Sequence, residues 1–395
     1  MRFKNIKMIL WTAVCAALFF MMSSAEACTG ITFRVSPDPG SVTYAFQART
    51  MEFGADVTGW RLVSVPRGHA YASCRMNSCG GSGVMGFAWT SKYQFVGMSP
   101  ARPNLPVIDE VTDGINEKGL ACGGFYNMGF AQYNPKPASG KALSNTDLVS
   151  WILSNFATVK EVREALRQKT VDVTQLIVLG KNGKPLCDSN TCPQLQYAVT
   201  DESGESIVIG FADGEAKIYD SIGVVTNNPS YDWHITNIRN YIGLQAQSRE
   251  NAVFNSITFN KLGNGTGAVG LPGDFAPPSR FIRAMFFLST AMPVKQGPDE
   301  AVARAFRILN QFDIPEGSII ATSPTGKGEI QDSTAWTSLS DLKRRRYYCH
   351  SQTDRTMRMI DLNKMPKNVF SYQELPAQEL IIDVSKKFIP APAAR

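Results

Sequence analysis

The stretch Ser23-Ser24-Ala25-Glu26-Ala27-Cys28-Thr29-Gly30, running into Ile31-Thr32-Phe33-Arg34-Val35, decides the fold. Upstream, Arg2, Lys4 and Lys7 precede an apolar run from Met8 to Met22, and the small residues Ala25 and Ala27 flank Glu26. That is the basic region, apolar region and cleavage site of a secretory signal peptide. Cleavage after Ala27 makes Cys28 the first residue of the mature chain. One residue then carries both a thiol and a free α-amine, a nucleophile and a base on a single scaffold. The two groups titrate near pH 8 to 8.5, close to ambient pH. The amine can take the thiol proton, the thiolate can attack a carbonyl, and the ammonium can protonate a leaving amine. Such a site needs a cation beside the thiolate, donors for an oxyanion and a carboxylate to orient the amine. The competing fate of Cys28 is acylation on sulfur and nitrogen, which blocks both groups and leaves a lipid-anchored exported binding protein. A lipidation signal usually has Leu three residues before the cysteine; this chain has Ala25 there, and a charged Glu26 follows.

Downstream, Thr29 to Val35 is rich in β-formers, and Val42 to Ala48 reads as its hairpin partner across Ser36-Pro37-Asp38-Pro39-Gly40. A glycine-rich loop spans Gly80 to Val84, a strand runs from Trp89 to Val96, and Asn116-Glu117-Lys118-Gly119 is a turn into a strand from Leu120 to Tyr126. Ser144 caps a helix from Thr146 to Phe156, and Thr158 with Glu161 forms a capping box for a helix reaching Gln168. Strands are expected at Leu176–Leu179, Gln196–Thr200, Ser206–Phe211, Ala216–Ser221, Ser318–Thr322 and Thr356–Leu362. Helices are expected at Arg280–Met292 and Asp299–Phe312. Blocks of strands with helices grouped between and after them predict α+β layering with helices outside. With no repeat, long linker or low-complexity tract, the expectation is a signal peptide over 1–27 and a single domain over 28–395.

Removing 27 of the 395 residues leaves 368, and a 44% apolar composition reads as globular rather than disordered. The leader carries a net +2 of the formal +6, leaving a mild charge of about +4 that calls for no nucleic acid. The basic cluster Lys343-Arg344-Arg345-Arg346 reads as solvated surface. The run from Met8 to Met22 is short for a membrane span, so the mature chain is expected to be secreted or periplasmic, with no membrane contact. Cys74/Cys79 and Cys187/Cys192 share a short spacing that suits disulfides in an oxidising compartment. Cys122 and Cys349 read as plain buried cysteines. Only three histidines are present, His69, His234 and His350. That disfavours a zinc site or a Cys/His dyad, and His234 reads as a structural residue. Gly263-Asn264-Gly265-Thr266-Gly267 lacks the Lys-Ser/Thr of a phosphate loop and reads as a flexible turn.

Five segments in order carry a resemblance: Cys28-Thr29-Gly30; Ala48-Arg49-Thr50-Met51-Glu52-Phe53; Asp113-Gly114-Ile115-Asn116-Glu117-Lys118-Gly119-Leu120; Val225-Thr226-Asn227-Asn228-Pro229 with Tyr231-Asp232-Trp233-His234; and Leu271-Pro272-Gly273-Asp274 with Ser279-Arg280-Phe281. Together they resemble the choloylglycine hydrolase family of penicillin V acylases and bile salt hydrolases, within the N-terminal nucleophile hydrolases. The resemblance implies a four-layer αββα fold and hydrolysis of a linear, non-peptide C–N amide through a thioester at Cys28. It implies no cofactor or metal, a small-molecule amide substrate and a homotetramer. Cys28 would be nucleophile and base, Arg49 would favour its thiolate, and Glu52, where the family more often has Asp, would hold the α-amine. The Asn227 side chain and the Tyr126 N–H would form the oxyanion hole, with Asn228 the alternative to Asn227, and Arg280 would complete the charged cluster. An aromatic residue at Tyr126 looks more like penicillin V acylases than bile salt hydrolases. Phe53, Trp60, Trp89, Tyr93 and Phe95 line an acyl pocket or the core. Bile salts and N-acyl homoserine lactones are the alternative substrates.

Overall fold

The β-formers after Cys28 make strand β1 (Thr29–Val35), which turns back antiparallel onto β2 (Tyr44–Gly54), pairing Val35 with Tyr44 and Thr29 with Thr50. The computed structural model describes residues 27–38, 40–54, 59–74, 79, 84–101, 109–177, 192–292, 297–322 and 329–375. β2 continues six residues past the end expected from sequence, carrying Arg49 and Glu52 onto the strand itself. These two strands sit inside an antiparallel sheet with β14 (Val224–Val225), β17 (Ile319–Thr322), β18 (Glu329–Asp341), β19 (Arg346–Ser351) and β20 (Arg358–Asp361). Its order is β14-β1-β2-β18-β19-β20, and β17 pairs with the start of β18.

The second sheet is antiparallel too, in the order β13-β12-β11-β8-β7-β6-β3-β21. Its members are β3 (Gly59–Val65), β6 (Phe95–Ala101), β7 (Asp113–Asn116), β8 (Ala121–Tyr126), β11 (Leu195–Thr200), β12 (Ser206–Ala212), β13 (Glu215–Asp220) and β21 (Ser371–Glu374). Three short pairs stand apart: β4 (Ala70–Ala72) with β5 (Ala88–Thr90), β9 (Ala142–Ser144) with β10 (Asp172–Thr174), and β15 (Ala252–Phe254) with β16 (Ile257–Phe259). The expected strand over Trp89–Val96 is therefore two, β5 and β6, separated where the Ser91 hydroxyl donates to the Tyr93 carbonyl. Of the strand expected at Leu176–Leu179, only an isolated bridge from Leu176 to Cys79 lies within the described residues.

Among the described residues, five α-helices complete the layers: α1 (Leu148–Asn155), α2 (Val159–Arg167), α3 (Tyr231–Asn237), α4 (Pro277–Thr290) and α5 (Pro298–Leu309). Capping residues set two of their starts. Ser144 accepts from the Thr146 N–H to open the turn before α1, and Thr158 accepts from the Glu161 N–H at the head of α2. Glu161 reaches back to the Ala157 N–H, one residue before the cap. α1 and α2 pack on the second sheet, while α4 and α5 pack on the first. One core lies between the sheets and under α4 and α5, joining Ile31, Phe125, Trp336, Phe281 and Phe306; a second lies under α1 and α2. The layering is α+β, arranged αββα, as expected.

Polar contacts pin the two sheets to each other. Thr200 Oγ1 donates to Gln47 Oε1 at 2.7 Å, and Ser338 and Tyr347 both donate to Asp113 Oδ2 at 2.7 Å. The basic cluster at the β18–β19 turn is neutralised locally: Lys343 and Arg345 pair with Glu202, Arg344 with Asp341 and Asp299, and Arg346 with Asp361. Cys74 and Cys79 are joined by a disulfide, while Cys122 and Cys349 are free and buried. Residues 1–26, expected from sequence to belong to a signal peptide, lie outside the described residues, as do Cys187 and positions 80–83 of the glycine-rich loop.

Candidate active site

The period-two alternation of a strand sorts the residues of β2 onto two faces. Arg49 and Met51 point between the sheets, and Thr50 and Glu52 point toward α4. Cys28, at the head of β1, lies beside both sets, and the end of β14 brings Asn227 to its other side. Cys28, Arg49, Glu52, Asn227 and Arg280 are all 1% exposed or less. The structure thus brings together five of the side chains singled out from sequence, drawn from four separate segments.

Asn227 is the hub. Its Oδ1 accepts from the Cys28 nitrogen at 2.7 Å and from Arg280 Nη2 at 2.8 Å, and its Nδ2 donates to the Tyr126 carbonyl at 2.9 Å. Two donors on one atom and an acceptor on the other leave a single orientation for the carboxamide. Nδ2 has two protons, and the bond to Tyr126 uses one of them. Tyr126 meets Asn227 through its carbonyl. Asn228, half-buried, makes none of these contacts and is joined to Pro229 by a cis peptide bond.

Arg280, near the start of α4, spends its guanidinium on the chain around Cys28. Nη1 donates to the Cys28 carbonyl and to Thr29 Oγ1 at 2.9 Å, and Nε donates to the Phe275 carbonyl at 2.8 Å. Arg49 is used differently. Nε donates to the Thr50 carbonyl at 3.2 Å, Nη1 to the Gly124 carbonyl and Nη2 to Met51 Sδ at 3.4 Å. Its guanidinium carbon stands 4.2 Å from the Phe125 ring centroid. The Met51 sulfur, 3.6 Å from Cys28 Sγ, sits between the thiol and this cation. Met51 was not a sequence candidate; its place beside Arg49 and Glu52 on the strand was the available signal.

Burial pushes the Cys28 thiol above its ordinary range. Arg49, the Glu52 N–H and Arg280 pull the other way, while the Glu52 carboxyl adds to the rise. Arg49 therefore pulls toward the thiolate but does not by itself overcome burial. Burial holds Glu52 up at about 8, against the pull of Arg280, the hydroxyls of Thr50 and Thr334, and Arg49. Burial lowers Arg280 to about 10 and His234 to about 4. His234 stacks on Phe281 and, neutral, donates from Nε2 to the Asn227 carbonyl at 3.1 Å. Gln196 Nε2 donates to the same carbonyl at 3.2 Å. Neither residue was a sequence candidate for the site; both fix the backbone that carries the hub.

Met51, whose sulfur lies 3.6 Å from the thiol, also lines a largely apolar pocket with Trp60, Val111, Tyr126, Val149 and Leu195, and Glu110 is on its wall; Cys28 itself does not line it. Of the aromatic candidates, Trp60 lines it. Trp89 and Phe95 lie in the second core and Tyr93 lies beside Lys118, while the Phe53 side chain is outside the description. In the full-length chain the Cys28 nitrogen is the amide of the Ala27–Cys28 bond, and Ala27 is itself buried. A buried thiol, an adjacent backbone nitrogen, a fixed carboxamide and two cations are the parts that acyl transfer uses.

The titrations carry a stability signature. Glu52 binds its proton more tightly folded than unfolded, so the full-length chain loses stability as pH rises from about 4.5 to about 8. His234 has the opposite sign and loses stability as pH falls from about 6.5 to about 4. Between pH 6.5 and 8 the Glu52 effect is unopposed by His234. In denaturant titrations of the full-length chain over that window, Glu52→Gln is expected to flatten the decline; an unchanged slope contradicts the assignment.

The sequence matches the family described as linear amide C–N hydrolases, choloylglycine hydrolase family, over residues 28–373, beginning at Cys28. It is 33% identical over 279 residues to a bile salt hydrolase/transferase of Clostridium perfringens, covering 70% of this chain and 78% of that protein. It is 28% identical over 376 residues to a penicillin V acylase of Pectobacterium atrosepticum, covering 92% and 89%. Among solved structures, a conjugated bile acid hydrolase variant from Clostridium perfringens superposes with a TM-score of 0.73 at 26% identity, covering 91% of this chain and 100% of that one. A penicillin V acylase from Agrobacterium tumefaciens shares the fold, with a TM-score of 0.63 at 24% identity and coverage of 88% and 90%. The αββα layering is that of the N-terminal nucleophile hydrolases, and the chain is a member of the choloylglycine hydrolase family of linear amide C–N hydrolases.

Proposed function

We propose that the chain is exported to the periplasm or beyond, is cut after Ala27, and hydrolyses a small-molecule amide with Cys28 as nucleophile in a single domain over 28–395. One observation carries the reading: the backbone nitrogen of Cys28, the future α-amine, is bonded to the buried Asn227 carboxamide that also faces Tyr126. In the mature chain the α-amine takes the thiol proton and the thiolate attacks the amide carbon. The oxyanion is held by the second Asn227 Nδ2 proton and the Tyr126 N–H. The ammonium then protonates the leaving amine, and water cleaves the thioester by the reverse proton path. Arg280 holds the Cys28 carbonyl and Asn227 in place, Arg49 supplies positive field near the sulfur, and Glu52 takes the ammonium.

The substrate reading is penicillin V acylase-like. The pocket reached from Cys28 across Met51 is narrow and largely apolar, with Trp60 and Tyr126 in its wall, and suits a flat aromatic or slender acyl group. Relatives named as bile salt hydrolases make conjugated bile salts the second class to test, and N-acyl homoserine lactones the third. With penicillin V, a glyco-conjugated bile salt and a long-chain acyl homoserine lactone, the mature protein is expected to turn over penicillin V fastest. Cys28→Ala is expected to lower the rate at least 10³-fold with folding retained. Retained turnover moves the nucleophile elsewhere. Binding of all three without turnover, or a lipid adduct on Cys28 by intact mass, supports the anchored binding protein instead.

We further propose that the chain self-associates, as a homotetramer, through the arm around β15 and β16. Val253, Phe254, Ile257 and Phe259 on this hairpin are more than half exposed, and Ile242 and Leu262 beside it are more exposed still. Such a patch is rare on a monomer. Light scattering is expected to give a tetramer that Phe254→Asp with Ile257→Asp dissociates; a monomeric wild type, or a variant of unchanged mass, refutes this interface.

A further inference from the structure

Glu52 is fully buried and its two oxygens are not equivalent. Oε1 accepts from Thr334 Oγ1 at 3.0 Å, while Oε2 is buried with no hydrogen-bond partner among the described residues. Thr334 has little freedom in this. Its own N–H donates to the Ile314 carbonyl at 3.1 Å, and its Oγ1 accepts from the Ile314 N–H at 2.8 Å. A hydroxyl has one proton. With an N–H already aimed at the oxygen, that proton is left for Glu52. The strand geometry is arranged for it: the β2–β18 register shifts at Ala335, so Glu52 faces Thr334 while the adjacent Met51 faces Trp336. A bulge of this kind re-aims side chains.

We infer that Thr334 is a positioning residue for the reaction: its hydroxyl, locked by Ile314, holds Glu52 Oε1 so that Oε2 is presented to the α-amine of Cys28. The inference rests on the reading of Cys28 as the mature N-terminal nucleophile. Thr334 touches neither thiol nor pocket, so it acts only through Glu52. The charged or titratable groups around Glu52 are Arg280 from α4, Arg49 from its own strand, Cys28 from the head of β1 and Asp332 on the same face of β18. None of them donates to Oε1 in place of Thr334, and the Thr50 hydroxyl on the strand of Glu52 itself also favours the carboxylate, so Thr334 shares that task.

A donor to a carboxylate favours its charged form, so removing it moves the acid limb of kcat/KM to higher pH. The test compares mature wild type, Thr334→Ser, Thr334→Val and Cys28→Ala on whichever of the three amides above the wild type turns over fastest. Thr334→Val is expected to shift the acid limb up by about one unit, a roughly tenfold loss of kcat/KM below the limb that largely recovers above it. KM should be unchanged, and Thr334→Ser should restore the wild-type profile. A pH-independent loss, a change confined to KM, or a Ser variant no better than Val overturns the inference while leaving the nucleophile in place. Turnover by Cys28→Ala, or none by wild type, overturns the reading of the site and the inference with it.

Discussion

A guanidinium taken out of water must be surrounded by acceptors, because an uncompensated buried charge costs several kcal/mol. Arg280 meets that demand at the Cys28 carbonyl, Thr29 Oγ1, Asn227 Oδ1 and the Phe275 carbonyl. Those bonds tie the head of β1, the turn after β14 and the start of α4 to one point. The rest of the site is built around that point. Asn227, held by Arg280 on one side, can present its Nδ2 only toward Tyr126. Gln196 and His234 then fix the Asn227 backbone from behind. The strand that carries Cys28 gains its other neighbour in β2, whose alternation delivers a cation between the sheets and a carboxyl toward the helices.

The electrostatics follow from the same burial. Two arginines, a thiol and a carboxyl share a volume with almost no exposure, so each perturbs the others. In the full-length chain the Cys28 nitrogen is a neutral amide, and among the described residues no cation donates to Glu52 Oε2. Cleavage after Ala27 would supply that cation as an ammonium. On this account the carboxyl is a prepared receptor for a group that exists only after processing, and its cost to the unprocessed fold is relieved by maturation.

Much of this was legible in the sequence, and the exceptions have physical causes. β1 and its hairpin announced themselves by β-formers around a Pro- and Gly-containing turn, and α1 and α2 by Ser144 and Thr158. The long central strand β18 did not, because Glu329-Ile330-Gln331-Asp332-Ser333-Thr334-Ala335-Trp336-Thr337-Ser338-Leu339-Ser340-Asp341 lacks an apolar alternation. Its buried Thr334, Ser338 and Asp341 are polar because they serve Glu52, Asp113 and Arg344. Cys28, Arg49, Glu52, Asn227 and Arg280 could be named from ordered motifs. Met51 and His234 lie inside those motifs without being marked for the site, and Gln196 and Thr334 lie outside them; the roles of all four depend on which residues the fold brings opposite them.

The central claim is that the sulfur of Cys28, freed as the first residue, becomes acylated during turnover. Rapid acid quench of the mature enzyme with excess amide substrate, followed by peptide mass mapping, tests it most directly. The account predicts an N-terminal peptide beginning at Cys28 that carries the acyl mass on sulfur, released by hydroxylamine. An acyl group on another residue, or steady turnover with no adduct and Cys28 blocked by lipid, would contradict it.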